Sequence, residues 1–211
     1  MPLCKEFGIQ AVSCHYDTPL VTGNFDAWKS DFPQGRPAGF TWEKAVDDAA
    51  AAGVKYMVVA YLQPAERGSL DTFRRYADQF NKAGEATRKA GMQFCYHHHA
   101  FEFGPKEGSR PIDVFLDRFD PKLVKFQFQV STISEGYDAP EYFTKYPGRF
   151  ISMHVQGWSA KTRKIVPVGQ GTLDWKKIFT AAKTGGIKNY FVEMDLEMMK
   201  ASVPYLRQLQ V

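Results

Sequence analysis

The sequence predicts an α/β chain of six strand–helix repeats, arranged as an incomplete (β/α) barrel in one domain over residues 1–211. Three observations carry this reading. First, strand-length apolar runs alternate with segments of helical periodicity from Ile9 to the C-terminus. Short crossovers of that kind demand parallel strands joined by right-handed connections. Second, Val54–Leu62 (VKYMVVAYL) is continuously apolar, as a strand covered on both faces should be. Third, His15, His97, His99, Gln129, His154 and Glu193 all fall near the C-terminal ends of strands. In a (β/α) barrel those ends gather on one face, where active sites sit. A complete barrel has eight strands in about 250 residues; this chain offers six in 211.

Residues 1–8 read as the tail of a helix closed by Gly8, and Ile9–Tyr16 as the first strand, ending in His15. A polar, Gly- and Pro-containing stretch runs from Asp17 to Phe40. Thr41 can cap the next helix, Trp42, Ala45, Ala49 and Ala52 give its buried stripe, and Gly53 closes it. After the Val54–Leu62 strand, a loop carrying Arg67 and Gly68 leads to a long helix from about Leu70. Its apolar positions are Phe73, Tyr76, Ala77, Phe80 and Ala83, and Gly91 ends it.

Met92–Tyr96 is the third strand, and it runs straight into His97, His98 and His99, with Glu102 beyond. Alternation along a strand puts His97 and His99 on one face and His98 on the other. Ile112, Val114 and Phe115 mark a short helix before Pro121. Leu123–Val130 is the next strand, with Gln127 and Gln129 on one face and Phe126 and Phe128 on the other. Asp138 and Pro140 start a helix that ends near Tyr146-Pro147-Gly148. Phe150–Val155 is a strand holding the fifth histidine, His154. Val168–Asp174 turns into a helix through Ile178 and Ala182, stopped by Gly185-Gly186. Asn189–Met194 is the last strand, followed by a C-terminal helix.

Composition narrows the function classes. The chain is 44% hydrophobic and carries a net charge of +4, with no basic tract interleaved with aromatics of the kind a nucleic-acid surface needs. No apolar stretch reaches the ~20 residues of a membrane span, and the N-terminus lacks a signal-peptide core. Cys4, Cys14 and Cys95 are widely spaced and odd in number, which reads as free thiols in a reducing, cytoplasmic setting.

Imidazole and carboxylate at strand ends suit a divalent metal, acid–base work on a polar substrate, or hydrogen bonding within a core. Glu102, Glu193, His97, His99 and His154 are the residues that bring such groups to the strand ends. His97 and His99 stand as ligands or as contacts to hydroxyls, and Tyr16, Tyr61, Tyr96 and Trp158 as aromatic faces for a ring. Lys161, Arg163 and Lys164 form a basic cluster after His154, either a solvated loop or a contact for a ligand phosphate or carboxylate.

The segments YHHHAFEF, KYPGRFISMHVQGW, VGQGTLDW and YFVEMD resemble the sugar phosphate isomerase/epimerase family, whose fold is a xylose-isomerase-like barrel. Close members read YHNHDFEF, then a strand ending in Leu-Asp, then KYPGR followed by HVKD, VGEGxxDW and VExD. The resemblance runs from about Ile9 to the C-terminus. It implies metal-assisted proton transfer next to a sugar carbonyl, with a divalent cation (Mn, Mg, Co or Zn) held by residues of the last four strands. His154 matches the metal-binding histidine, Glu193 the last-strand glutamate, and one of His97, His99 or Glu102 the first ligand. Glu193 and Glu102 are then the catalytic pair, and His15, His99, Tyr96, Trp158 and Lys161 the sugar or sugar-phosphate contacts.

Two departures stand out. Gln129 occupies the place of the family's strand aspartate, and Gln156-Gly157, Gln170 and Ala100 each remove a further charge. An amide is a poorer ligand than a carboxylate for a hard cation. The alternative expectation is therefore a sugar-binding relative that has lost part of its metal site. Also by the resemblance, the first two βα units lie outside this chain. A chain complete as it stands would leave parallel edges to cover and is expected to form a homo-oligomer.

Overall fold

A computed structural model describes residue 4 and residues 6–211, with the side chains of residues 134 and 135 left aside. The expected helix tail over residues 1–8 falls partly outside the described residues; residues 4 and 6 are helical, and Gly8 has φ 65°. The chain forms two compact units, Met1–Lys125 and Phe126–Val211.

The first unit holds three parallel strands in chain order: β1 (Ser13–Tyr16), β2 (Tyr56–Val59) and β3 (Gln93–His97). Ser13 lies level with Tyr56, and Tyr56 with Gln93. Met57, Val58 and Val59 are wholly buried, as the unbroken apolar run requires. Between β1 and β2, the polar stretch forms a short helix, α1 (Pro19–Thr22), a 3-10 turn at Phe25–Trp28, and then α2 (Trp42–Ala52). Thr41 caps α2 by accepting from the Lys44 amide, and Gly53 closes it with φ 75°. The buried stripe of α2 is Trp42, Val46 and Ala49. Ala52, expected inside, is exposed, because the face that packs repeats at four and three residues from Trp42.

Helix α3 (Leu70–Lys89) begins on the Ser69 cap and buries every apolar position expected of it. Phe80 is its hub: its ring lies 5.8 Å from Phe94 and 5.4 Å from Tyr96 on β3. It also lies 6.1 Å from Phe115 on α4 (Pro111–Arg118). Gly84 sits mid-helix for a steric reason. A Cβ there would come within 2.8 Å of the Leu123 carbonyl oxygen, so only glycine lets the helix approach that backbone. Val114 is half-buried on α4, and Leu116 takes the inner position instead.

The second unit holds β4 (Val124–Gln129, whose first two residues end the first unit), β5 (Phe150–Val155) and β8 (Asn189–Val192), parallel, with β5 in the middle. Helices α5 (Ala139–Lys145), α6 (Trp175–Thr184) and α7 (Leu196–Gln208) complete the repeats. One feature is absent from the sequence reading: an antiparallel hairpin, β6 (Gly157–Ser159) and β7 (Lys164–Val166), inserted after β5. Its loop lacks the Asn-Gly or Asp-Gly signature of a tight hairpin and turns at Arg163 with φ 54°. Gly171 packs beneath it, where a Cβ would fall 2.1 Å from the Trp158 carbonyl oxygen.

Candidate functional site

In the first unit, the strand ends bring imidazoles together. His15 on β1 and His97 on β3 have ring centres 5.4 Å apart, and His97 and His99 4.9 Å apart. His98 packs on Phe103 at 5.0 Å, and its ring also lies 6.3 Å from that of His97, nearly parallel to it. His97 and His99 thus lie together as the alternation expects, but His98 is not set apart from His97. His99 also meets Tyr61, ring to ring at 5.2 Å.

Glu102 has a different place from the one its position suggests. It has no exposed surface, and it closes the Ala100–Glu102 turn that follows β3. The Tyr96 hydroxyl donates to Oε1, and the His99 amide donates 2.8 Å to Oε2. Burial pushes its carboxyl up to about 8, although those hydrogen bonds pull the other way. Glu102 thus serves this turn with both oxygens. Tyr96 requires a correction: it is wholly buried against Phe80 and Phe115, so it offers no face to a ligand. Its hydroxyl is taken by Glu102.

In the second unit, three of the expected residues converge. Phe126 lies level with Phe150, but an irregularity follows, and Gln129 comes level with His154. Without that slip Gln129 would face Met153, and a one-residue register change sends side chains to opposite faces. His154 lies level with Phe191 on β8, and Glu193 follows β8 directly. The Glu193 amide donates 3.1 Å to the Val155 carbonyl, which continues the ladder one residue past the strand. Gln129 Nε2 then donates 2.7 Å to Glu193 Oε2, and His154 Nδ1 lies 3.2 Å from the same oxygen. His154 is nearly buried, with 9% of its side chain exposed, whereas Glu193 keeps 44%. An imidazole, a carboxylate and an amide so placed can hold a divalent cation or pass a proton.

Gln156, noted in the sequence only as a lost charge, donates 3.1 Å to the Glu193 carbonyl and so fixes that residue's backbone. Its role was hidden because the contact joins residues far apart in the chain. Trp158 and Lys161 lie on the hairpin, Trp158 half-buried opposite Ile165 and Lys161 exposed in the connecting loop. The turn into α6 is held by the buried Ser202 of α7, whose hydroxyl accepts from the Val168 amide at 2.9 Å.

The donor set fits a divalent metal in kind, since His154 and Glu193 each offer a ligand atom. It is short of one carboxylate, because position 129 supplies an amide that spends its N–H₂ on Glu193.

Comparison with known proteins bears on this geometry. The family model for the xylose isomerase-like TIM barrel matches residues 2–209. The crystal structure of a sugar phosphate isomerase/epimerase from Parabacteroides distasonis superposes with a TM-score of 0.78 at 27% identity, covering 98% of this chain and 73% of that one. Inosose dehydratase from Lacticaseibacillus casei is 25% identical over 211 residues, 83% of this chain and 70% of its own length. A xylose isomerase-like TIM barrel protein from Mycobacterium smegmatis, solved in complex with magnesium, shares the fold at a TM-score of 0.68 and 13% identity, covering 99% of this chain and 75% of that one.

Proposed function

Since the chain belongs to the xylose isomerase-like TIM barrel family, a family of sugar-modifying enzymes in its relatives here, we propose that it catalyses proton transfer at the carbon beside a sugar carbonyl, as an isomerase or epimerase. Epimerisation, isomerisation and dehydration of a keto-polyol share that first step, removal of a proton made acidic by the neighbouring carbonyl.

The observation that carries the reading is the meeting of Gln129, His154 and Glu193 at the ends of three adjacent strands. His154 and Glu193 are the residues that would hold a divalent cation, with the Gln129 carbonyl as a weaker third donor. When bound, such a cation polarises the substrate carbonyl and stabilises the enolate charge. Glu193 takes and returns the proton. Its half-exposed carboxylate is anchored through Oε2 and backed by Gln156, so it is oriented without being sealed off. His154 Nδ1, 3.2 Å from Oε2, helps to set the rotamer of Glu193. His15, His97 and His99 offer imidazoles for sugar hydroxyls.

A second reading, a sugar binder with weakened chemistry, is favoured by one contact: the Gln129 amide sits on the oxygen that a cation would use. One experiment separates the two. Purified protein loaded with Mn²⁺ is incubated with ketohexoses in D₂O, and deuterium entry beside the carbonyl is followed by NMR. The enzyme reading expects exchange that disappears in Glu193→Gln. Sugar binding without exchange selects the second reading, and the absence of both exchange and metal uptake refutes the first.

A further inference from the structure

Arg67 follows the 3-10 turn Pro64–Glu66 in the loop after β2 and has no part in the chemistry above. Its guanidinium is held unusually firmly. The central carbon lies 3.5 Å from the centre of the Phe101 ring and 4.8 Å from that of Tyr61. Nε donates 2.8 Å to the Leu62 carbonyl, which fixes the plane of the group. Nη2 is buried and has no hydrogen-bond partner among the described residues. A buried donor left so is destabilising by about 1–3 kcal/mol and calls for a reason.

The neighbouring acids do not supply one. Glu66 is buried, and its oxygens take the Trp28 indole N–H at 2.8 Å and the Gln63 amide at 2.9 Å, with Tyr76 and Asn24 each at 3.4 Å. Glu102 is engaged by Tyr96 and by the His99 amide. Both of its oxygens are thus taken by other donors. No acid forms an ion pair with Arg67 among the described residues. Beside it stands the His99 imidazole, whose ring is parallel to Phe101 at 6.1 Å. A planar, stacked, pre-oriented guanidinium with donors to spare is the side chain best matched to a two-oxygen anion.

We infer that Arg67 is a specificity residue that recognises an oxyanion, a carboxylate or a phosphate, carried by the sugar ligand. The inference rests on the sugar-binding reading of this protein and is independent of the metal. Phe101 and Tyr61 form the platform, and Leu62 sets the orientation.

The test is calorimetric titration of the metal-free full chain at pH 7.5 with glucose, glucuronate, glucose 6-phosphate and inorganic phosphate. At least one anionic sugar is expected to bind ten-fold or more tightly than glucose, and the better of the two names the group. Arg67→Gln should abolish that preference while glucose binding stays as it was. Arg67→Lys, which keeps the charge and loses the fork, should restore part of it. If Arg67→Gln fails to fold, Phe101→Leu removes the ring beneath the guanidinium and is expected to weaken the anionic sugars alone. The proposal is overturned if no anionic sugar binds better than glucose, or if the variants weaken all sugars alike. Because the titration uses neither metal nor turnover, its failure is distinct from failure of the proton-transfer reading.

Discussion

Replacing Gln129 with aspartate tests whether the cluster in the second unit is a metal site. In the native chain the amide donates 2.7 Å to Glu193 Oε2. Aspartate is one methylene shorter, so its carboxylate lies about 4 Å from Glu193, where two like charges repel by about 4 kcal/mol at an effective dielectric of about 20. Glu193 is 44% exposed, and solvent screening reduces this to about 2 kcal/mol. Loss of the hydrogen bond adds about 1 kcal/mol. The metal-free variant is therefore less stable by about 3 kcal/mol. A divalent cation between the carboxylates removes both penalties, so affinity should rise by roughly 30- to 150-fold, at about 1.4 kcal/mol per tenfold. Titration calorimetry with Mn²⁺ on chelator-treated protein gives the affinity, and thermal melts with and without metal give the stability. The reasoning is refuted if Gln129→Asp binds Mn²⁺ within threefold of the native protein.

Glu102→Gln addresses pH. A carboxyl held at about 8 in the folded chain, against an ordinary 4.5, contributes stability that is fully present below pH 4.5 and is lost as pH rises to about 8. That interval amounts to about 5 kcal/mol at about 1.4 kcal/mol per pH unit. Urea denaturation from pH 4.5 to 9 should show the native protein weakening while the Gln variant stays flatter; parallel curves would remove Glu102 as the cause. Gly84→Ala ordinarily gains about 1 kcal/mol in a helix interior, but here the methyl meets Leu123 oxygen at 2.8 Å. The overpacking term of about 1–3 kcal/mol should win, and a higher melting temperature for the alanine variant would contradict that. Phe7, Ile9 and Leu196 are 69%, 62% and 63% exposed, apolar surface of the kind that favours self-association. Light scattering should then give a mass above the 24.0 kDa of one chain, and a monodisperse monomer would count against it.

Much was legible before any coordinates. Alternating periodicity marked all six parallel strands, and the unbroken apolar run at Met57–Val59 foretold burial on both faces. Strand parity placed His97 and His99 together. The grouping of polar residues at strand ends singled out Gln129, His154 and Glu193. These features are encoded within a few residues of chain, where side-chain direction follows directly from the local backbone.

The tertiary structure decided the rest. Gln129 and Glu193 are 64 residues apart, and their contact depends on strand neighbours and register that no local pattern specifies. The slip between Phe126 and Gln127 puts Gln129 beside His154; an unbroken register would have buried the amide against Met153. Tyr96 and Glu102 looked like ligand-facing groups, yet burial turned them into each other's partners. Arg67 drew little notice in sequence because its meaning lies in the rings it rests on, Phe101 and Tyr61, which only the folded chain brings to it. Secondary structure follows from near neighbours along the chain, but charge, hydrogen bonding and pKa follow from neighbours in space.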